Sequence, residues 1–386
     1  MDKYFYFYDL NEVLIDRYPA KIASYIQQEI KTNNFIFIFS EDYSYSHPKR
    51  IPDGSKAFYF KELTSGDLKS LVVKYPPNSL TTIAQRIPDM WMQTYFNHLS
   101  VPTFIVQHGL WSDKLERVPL IPLIYGKFAK FINYIKNVYS ICHLNNIPFL
   151  PTVFDLYKFL LREDISIPET KYLDNNKIRA SKAFVFDESW DDYYIKKYGY
   201  CKENLIYIGN PDLQLLKNKN VAVREDAVCY LCQSLVEDGR YTLKEYTKFL
   251  NILNATVARR KKLFIKLHPR SKKEFYQVFA ENSNVVLTDE LPICEYYIAH
   301  YTGLLATVKY VSKNILIWKL SDHHIPEYFC QFGSVVTSSI DDLSSFIDKD
   351  NKGYSSIKKS NEENTYFDFQ DPIQIIAENI IKYSIK

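Results

Sequence analysis

Short apolar runs alternate with longer amphipathic stretches along almost the whole chain. Runs such as Asn34–Ser40 and Thr103–Val106 are rich in aromatic and β-branched residues, as is typical of strands buried on both faces. Stretches such as Pro19–Ile30 and Ile87–His98 carry their apolar residues at helical spacing. The alternation predicts an α/β protein built on parallel sheets.

The predicted elements fall into two groups. In the first, strands are expected at Lys3–Tyr8, Asn34–Ser40, Ala57–Phe60, Leu80–Ala84, Thr103–Val106, Ala183–Phe186 and Leu205–Ile208, and helices at Pro19–Ile30, Ile87–His98, Phe128–Tyr139, Val153–Leu161 and Trp190–Tyr198. In the second, strands are expected at 228–233, 263–267, Val285–Thr288, Tyr296–Ala299, Asn314–Trp318 and Ser334–Thr337, and helices at Tyr241–Ala258, Ile340–Ile347 and Pro372–Tyr383. The polar segment Leu216–Glu225 separates the groups, so we predict domains at residues 1–220 and 221–370. The terminal helix, within 371–386, is expected to pack back on the first domain.

The strands at 228–233 and 263–267 carry the strongest candidate site. The helix between them opens with Thr242 and Glu245, a capping-box spacing. A right-handed crossover makes the two strands parallel, so the residues after them lie at one edge of the sheet. Glu237-Asp238-Gly239 and His268-Pro269-Arg270 are therefore expected to face a common crevice. An acidic pair in such a loop is more often only a solvated helix start, but its pairing with a strand-end histidine favours a site.

These residues resemble the motifs of bacterial sialyltransferases of the lipooligosaccharide and polysialyltransferase types. Glu237-Asp238-Gly239 is similar to their acidic-acidic-Gly motif, and Lys266-Leu267-His268-Pro269 to their basic-x-His-Pro motif. Tyr301-Thr302-Gly303 stands in place of a third motif with a Ser/Thr pair, although only Thr302 carries a hydroxyl. The similarity covers about residues 228–310, and the short gap between the first two motifs resembles the lipooligosaccharide enzymes more than the polysialyltransferases.

The resemblance implies a GT-B glycosyltransferase, with two Rossmann-like domains facing a central cleft. Residues 1–220 would then form the acceptor side, and residues 221–370 would bind the nucleotide sugar. The implied reaction is transfer of a sialic acid, with inversion, from its CMP donor to a sugar of a bacterial surface glycan.

The residue types at these positions suit the two chemical steps of such a transfer. An acceptor hydroxyl needs a general base, for which Asp238 is the first choice and Glu237 a close second. The departing phosphate needs hydrogen-bond donors, which His268 and Thr302 can supply. The remaining donor-binding candidates are the neighbours of these residues: Gly239, Pro269, Arg270 and Gly303. A single-phosphate donor requires no metal or other cofactor.

Another strand-end motif lies in the first domain. Gln107-His108-Gly109 follows the predicted strand Thr103–Val106 and resembles a motif at the active site of capsule and teichoic-acid transferases. His108 could be a second base or an acceptor-binding group. A turn with a backbone-bonded histidine is an equally good interpretation.

Other functions remain open on the same residues. A related transferase could use another cytidine-activated donor, either Kdo or a polyol phosphate. The two domains could also form a non-catalytic nucleotide- or glycan-binding module, or an epimerase that acts on a nucleotide sugar without an acceptor.

Composition limits the location and partners of the protein. The chain has 386 residues, a net charge of +3 and six cysteines, and it lacks a signal peptide or a nucleic-acid motif, which favours a cytoplasmic enzyme that binds no nucleic acid. Cys229 and Cys232 lie inside an apolar strand, which argues against a metal site. The segment Pro119–Arg162 is aromatic and lysine-rich and has no acidic residue before Asp155, so peripheral contact with the inner face of the cell membrane is one hypothesis. A buried helical pair is the alternative.

Overall fold

A computed structural model describes most of the chain. The residues described are 2–9, 18–40, 51–60, 63–107, 135–161, 176–211, 223–237, 239, 241–320, 325, 327–330, 332–348 and 370–385. The chain forms two compact units: unit 1 comprises Met1–His108, Leu120–Pro211 and Phe369–Lys386, and unit 2 comprises Gly109–Pro119 and Asp212–Asp368. The predicted boundary at residue 220 lies outside the described residues.

Unit 1 is built on a parallel sheet. Its strands are β1 Tyr4–Asp9, β2 Phe35–Ser40, β3 Lys56–Phe60, β4 Pro77–Thr82, β5 Thr103–Val106, β6 Lys182–Val185 and β7 Leu205–Tyr207, in the order β3-β2-β1-β4-β5-β6-β7. Its α-helices are Pro19–Ile30, Ser65–Lys74, Ile87–His98, residues 135–145, Phe149–Leu161 and Pro372–Ser384, and its short turns of 3₁₀ or π helix are Asn176–Ile178, Glu188–Trp190, Tyr193–Lys197 and Lys202–Asn204. Each predicted strand of this group is present, with ends shifted by a few residues.

In unit 1 one predicted helix is wrong, one helix was missed, and one predicted helix lies mostly outside the described residues. The α-helix predicted at Trp190–Tyr198 is wrong, because a 3₁₀ turn at Glu188–Trp190 is followed by a π turn at Tyr193–Lys197. The rings buried in this segment are those of Trp190, Tyr194 and Tyr198. The π turn, which is wider than an α-helical turn, accompanies the packing of these rings. Helix Ser65–Lys74 was missed, although Thr64 and Asp67 form a capping box at its start. Most of the predicted helix Phe128–Tyr139 lies outside the described residues.

The carboxy-terminal helix Pro372–Ser384 packs within unit 1. Ile376, Ala377 and Ile380 are fully buried, and the helix lies against Pro19–Ile30. Its Tyr383 ring lies 6.4 Å from that of Phe104 on β5. The last element of the chain therefore completes the core of the unit that contains the first.

Unit 2 is built on a second parallel sheet. Its strands are β8 Arg224–Leu231, β9 Lys262–Lys266, β10 Val285–Thr288, β11 Cys294–Ala299, β12 Asn314–Trp318 and β13 Val335–Thr337, in the order β10-β9-β8-β11-β12-β13. Its helices are Lys273–Phe275, Gln277–Ala280, Leu243–Thr256, Leu305–Val308, Glu327–Cys330 and Ile340–Asp348. The predicted capping box of Thr242 and Glu245 is confirmed.

Strand order reverses once in each sheet. In unit 1 the chain runs outward from β1 to β3 and resumes with β4 on the other side of β1, and in unit 2 β11 resumes beside β8 in the same way. This is the order of a Rossmann-like fold, in which ligands bind outside the carboxyl ends of the strands at the reversal. The pairs β1/β4 and β8/β11 therefore mark the edge of each sheet where a site is expected.

Across the parts of the chain that the structure describes, no helix combines the length and apolar character that crossing a bilayer requires.

Candidate active site

Three loops of unit 2 meet at the carboxyl edge of its sheet. They follow β8, β9 and β11, which are neighbours in the order β9-β8-β11. Residues at the ends of these strands are in register, with Leu231 opposite Lys266 and Tyr230 opposite Ile298. Glu237, His268 and Thr302 therefore lie on loops that leave the sheet side by side at the strand reversal.

The loop after β8 is tightly folded. The N–H of Gly239 donates to the carbonyl of Val236 at 3.0 Å, and that of Tyr241 donates to Leu235 at 3.1 Å. Gly239 has a φ of +69° with open space where a Cβ would stand, so a glycine is favoured there by the backbone conformation and not by crowding. Asp238, the first-choice base, lies outside the described residues.

Glu237 connects this loop to the loop after β9. Its Oε1 accepts a hydrogen bond of 2.8 Å from the backbone N–H of Lys272. Its Oε2 is buried and has no hydrogen-bond partner among the residues that the structure describes. A second connection runs from Arg270 Nη2 to Ser234 Oγ at 2.9 Å. The acidic loop and the histidine loop are thus in direct contact.

His268 is held in one tautomer by its own turn. The N–H of Ser271 donates to the carbonyl of His268 at 2.9 Å, and Pro269 suits the second position of such a turn. The N–H of Arg270 donates to His268 Nδ1 at 3.1 Å. Because Nδ1 accepts, the ring is neutral and carries its proton on Nε2. The side chain therefore presents Nε2 as a donor.

The loop after β11 is fixed by Gln233. The Gln233 Oε1 accepts the N–H of Tyr301 at 3.2 Å, and its Nε2 donates to the carbonyl of the same residue. Thr302, the next residue, is 8% exposed. The end of β8 therefore sets the position of Thr302.

The helix after Thr302 is a single turn, Leu305–Val308. A helix start can offer free backbone N–H groups to a phosphate, but the N–H groups of Leu304, Leu305 and Ala306 already have acceptors within this loop. The N–H of Leu304 approaches Thr302 Oγ1 at 3.4 Å, and those of Leu305 and Ala306 donate to the carbonyls of Thr302 and Gly303. The Thr302 hydroxyl remains the donor that this loop can offer.

The residues that connect the three loops to one another were not recognised from the sequence. Gln233 and Ser234 are polar residues directly after a buried strand, and Ser271 lies in the histidine turn. Such positions attract attention only once the partner loop is known, since the contacts depend on which strands are neighbours.

The candidates of unit 1 lie at the end of β5. Gln107 is buried, its N–H donates to Phe184, and its Oε1 accepts the N–H of Phe186 at 2.9 Å. These bonds connect β5 to β6. His108 and Gly109 lie outside the described residues.

A charged cluster that the sequence did not reveal lies at the β1/β4 reversal of unit 1. Arg86 Nη2 lies 3.0 Å from Asp9 Oδ1, and Arg86 Nε lies 2.7 Å from Asp89 Oδ2. Both carboxylates are buried, so the guanidinium neutralises part of their charge. Asp9 follows an apolar run, which is the one sequence signal that could have found it.

The strand cysteines are buried thiols of unit 2. Burial raises the pKa of the Cys232 thiol to about 12 and that of Cys229 well above its ordinary value, so both stay protonated at neutral pH. No group of three His, Cys, Asp or Glu side chains able to hold a metal ion occurs within the described ranges.

Solved structures similar to this chain share its fold. They include a variant of the wall teichoic acid polymerase TagF (TM-score 0.54, 10% identity, 99% of this chain and 89% of that chain). The kitacinnamycin glycotransferase (0.52, 7%, 99% and 100%) and the UDP-GlcNAc 2-epimerase of Methanocaldococcus jannaschii (0.50, 12%, 99% and 100%) are also similar. The two Rossmann-like units thus have the GT-B type of fold.

Comparison with protein families gives the more specific result. No curated protein sequence matches the chain. The model of the alpha-2,8-polysialyltransferase family matches residues 18–300, although the gap between the first two motifs had favoured the lipooligosaccharide enzymes. This match extends from the first helix of unit 1 to the end of β11 in unit 2. The chain therefore belongs to the alpha-2,8-polysialyltransferase family and is a sialyltransferase-like glycosyltransferase.

Proposed function

We propose that the protein is an inverting sialyltransferase that uses CMP-sialic acid and extends a bacterial surface glycan. From the name of the matching family we propose in addition that the linkage formed is α-2,8 and that the acceptor itself ends in sialic acid. The observation that carries the proposal is the contact between the acidic loop and the turn that presents His268 Nε2 as a donor.

In the proposed reaction the acceptor hydroxyl oxygen attacks the anomeric carbon of the donor. The bond from that carbon to the phosphate oxygen breaks, and CMP leaves with the electron pair. His268 Nε2 and the Thr302 hydroxyl donate to the phosphate as its charge grows, which favours the transition state over the ground state. Gly239, Pro269, Arg270 and Gly303 shape the donor-binding loops around these groups.

The acceptor proton passes to a carboxylate of the acidic loop. Asp238 is our first choice. Glu237 is second, because its Oε1 already accepts the Lys272 N–H and so contributes to bracing the histidine loop. The reaction requires no metal or cofactor, since the leaving group is a phosphate monoester. Gln107, His108 and Gly109 stay acceptor-side candidates.

A panel of nucleotide sugars tests the proposal. The purified protein is incubated with CMP-sialic acid, CMP-Kdo, CDP-glycerol and UDP-GlcNAc, each with and without a sialylated oligosaccharide, in the presence of EDTA. We expect chain extension from CMP-sialic acid alone. Transfer from another donor would replace the donor assignment, product formed without acceptor would indicate an epimerase, and no turnover with any donor would contradict the enzyme.

We also propose that the enzyme works in the cytoplasm, in peripheral contact with the anionic inner face of the cell membrane. Support comes from the exposed side chains of Tyr139, Leu150 and Phe154, which are 57%, 69% and 67% exposed. They belong to a sequence, residues 117–154, that has basic residues and no Asp or Glu. Apolar contact combined with positive charge is how peripheral proteins bind anionic lipid.

Flotation with vesicles tests this contact. At low salt the protein should float with vesicles containing phosphatidylglycerol and not with pure phosphatidylcholine. The variant Leu150→Ser/Phe154→Ser should lose flotation, whereas Val278→Ser, an exposed apolar residue of unit 2, should keep it. No flotation of the parent protein would contradict the contact.

A further inference from the structure

A chain of buried side chains lies beneath the three loops of the site. Its members are Tyr230, Tyr246, Tyr276 and His300, each at most 1% exposed. Tyr230 lies on β8 and Tyr246 in the helix that follows the acidic loop. Tyr276 follows the histidine turn, and His300 directly precedes Tyr301 and Thr302. We refer to these four residues as the tyrosine chain.

Their polar atoms form consecutive hydrogen bonds. The hydroxyl oxygens of Tyr230 and Tyr246 are 2.6 Å apart, and that of Tyr276 approaches that of Tyr246 at 3.4 Å. Tyr230 Oη lies 3.0 Å from His300 Nε2, and His300 Nδ1 lies 2.8 Å from the carbonyl of Trp318 at the end of β12. The bonds thus connect five parts of unit 2: β8, the helix Leu243–Thr256, the segment at Tyr276, the end of β11 and β12.

The last bond fixes the direction of all the others. A carbonyl oxygen can only accept, so His300 Nδ1 donates. Burial lowers the pKa of His300 to about 4, so the ring is neutral and Nε2 must accept. Tyr230 therefore donates to His300 and accepts from Tyr246, which in turn accepts from Tyr276. The hydroxyls of Tyr230 and Tyr246 thus each have one donor role and one acceptor role, and the buried Cys232 thiol lies beside Tyr246 and Tyr276.

The other end of the tyrosine chain lies beside the turn that holds His268. Burial raises the pKa of Tyr276, and the nearby Ser271 side chain opposes that rise. The same Ser271 Oγ accepts the backbone N–H of His268 at 3.2 Å. The tyrosine chain therefore runs from beside the serine that holds the His268 backbone to His300, the residue that precedes the Tyr301–Thr302 loop.

We propose that Tyr246 is a positioning residue, which through the tyrosine chain holds the His268 turn and the Thr302 loop in register with one another. The inference rests on the proposed function of His268 and Thr302 as phosphate donors. Phenylalanine would fill the same space without needing buried partners, so a core that only required packing would gain nothing from these hydroxyls. A fixed donor direction instead gives the two loops one relative position, which a developing charge requires.

The variant Tyr246→Phe tests the role, with Tyr297→Phe as the matched control. Tyr297 is equally buried in unit 2, and its hydroxyl accepts from Cys294 N–H at 3.0 Å and donates to the carbonyl of Pro292 at 2.9 Å. Both variants lose two buried hydrogen bonds between oxygen or nitrogen atoms, and Tyr246→Phe also loses its contact with the Cys232 thiol. We expect kcat of Tyr246→Phe to fall roughly 10- to 100-fold while KM for the donor changes less than about 3-fold, and kcat of Tyr297→Phe to stay at the parent value.

Two further measurements make the result decisive. Tyr276→Phe should lower kcat by a similar factor. The kcat of the double variant Tyr246→Phe/Tyr276→Phe should be no lower than that of the more affected single variant, because one missing hydroxyl already interrupts the tyrosine chain. Histidine ¹⁵N NMR of the full chain should show His268 with its proton on Nε2 in the parent and a shifted His268 signal in Tyr246→Phe only. The NMR comparison stands even if CMP-sialic acid is not the donor. Unchanged kcat and an unchanged His268 signal in both chain variants would overturn the proposal.

Discussion

At the scale of single residues, the acidic loop holds two adjacent carboxylates with separate expected roles. We predict that Asp238→Asn lowers turnover about 100-fold or more, because an amide cannot take the acceptor proton. Glu237→Gln should lower turnover by a smaller factor, since a glutamine oxygen can still accept the Lys272 N–H. Initial rates at saturating donor and acceptor measure both.

Two outcomes of that comparison carry different meanings. A larger loss in Glu237→Gln would transfer the base role to Glu237. Turnover within about 3-fold of the parent in both variants would contradict general-base catalysis by this loop. Thermal unfolding of each variant serves as the control for folding.

A second prediction at this scale concerns His300 and the pH dependence of the free energy of unfolding. Burial lowers its pKa from 6.5 to about 4. As pH falls through 6.5 the unfolded chain therefore takes up a proton that the folded chain refuses, and stability decreases until about pH 4. The difference is worth roughly 3 kcal/mol in total.

The measurement is the free energy of unfolding between pH 7 and pH 4 for the parent and for His300→Gln. The variant should show a shallower decline over that window, whatever its absolute stability, since the carboxylates that also titrate are common to both. Parallel curves would mean that His300 is not buried in its neutral form.

At the scale of elements, two capping boxes that begin with a threonine offer a matched pair. Thr242 caps the helix after the acidic loop, and Thr64 caps helix Ser65–Lys74 in unit 1. Replacing either by alanine should cost about 1 kcal/mol. Only Thr242→Ala should also lower turnover, because that helix carries Tyr246 and begins where the acidic loop ends.

Urea unfolding and initial rates of the two variants check this prediction. Equal turnover in both would show that the acidic loop does not depend on how its helix starts. A larger loss in Thr64→Ala would place the sensitive loop in unit 1.

At the scale of the whole molecule, the proposal assigns the donor nucleotide to unit 2. CMP should therefore slow hydrogen exchange in residues 233–241, 267–272 and 300–306 and leave β2 and β3 of unit 1 unchanged. At a concentration of about 100 times Kd, CMP should stabilise the folded state by roughly 2.7 kcal/mol. Mass-spectrometric exchange with CMP, and with UDP as the control, provides the test. Protection centred in unit 1, or equal protection by UDP, would contradict the assignment.

The sequence by itself determined the class of fold and the position of most strands. Asn314–Trp318 and Val285–Thr288 were predicted with the bounds observed, because each is a short and mostly apolar run of the kind that strands form. Capping at Thr242 was equally local. Trp190–Tyr198 was mispredicted because helical spacing does not distinguish an α turn from the π turn that accompanies burial of large rings.

Tertiary structure alone decided which loops touch. The order β9-β8-β11 places Gln233 against Tyr301, Glu237 against Lys272 and Ser234 against Arg270, and no local pattern encodes that order. The direction of the tyrosine chain depends likewise on a residue of another strand, since the Trp318 carbonyl accepts from His300, whereas the tautomer of His268 is set locally by the Arg270 N–H. Local periodicity follows from the shape of a helix or a strand, whereas hydrogen-bond partners across strands exist only after the sheet has formed.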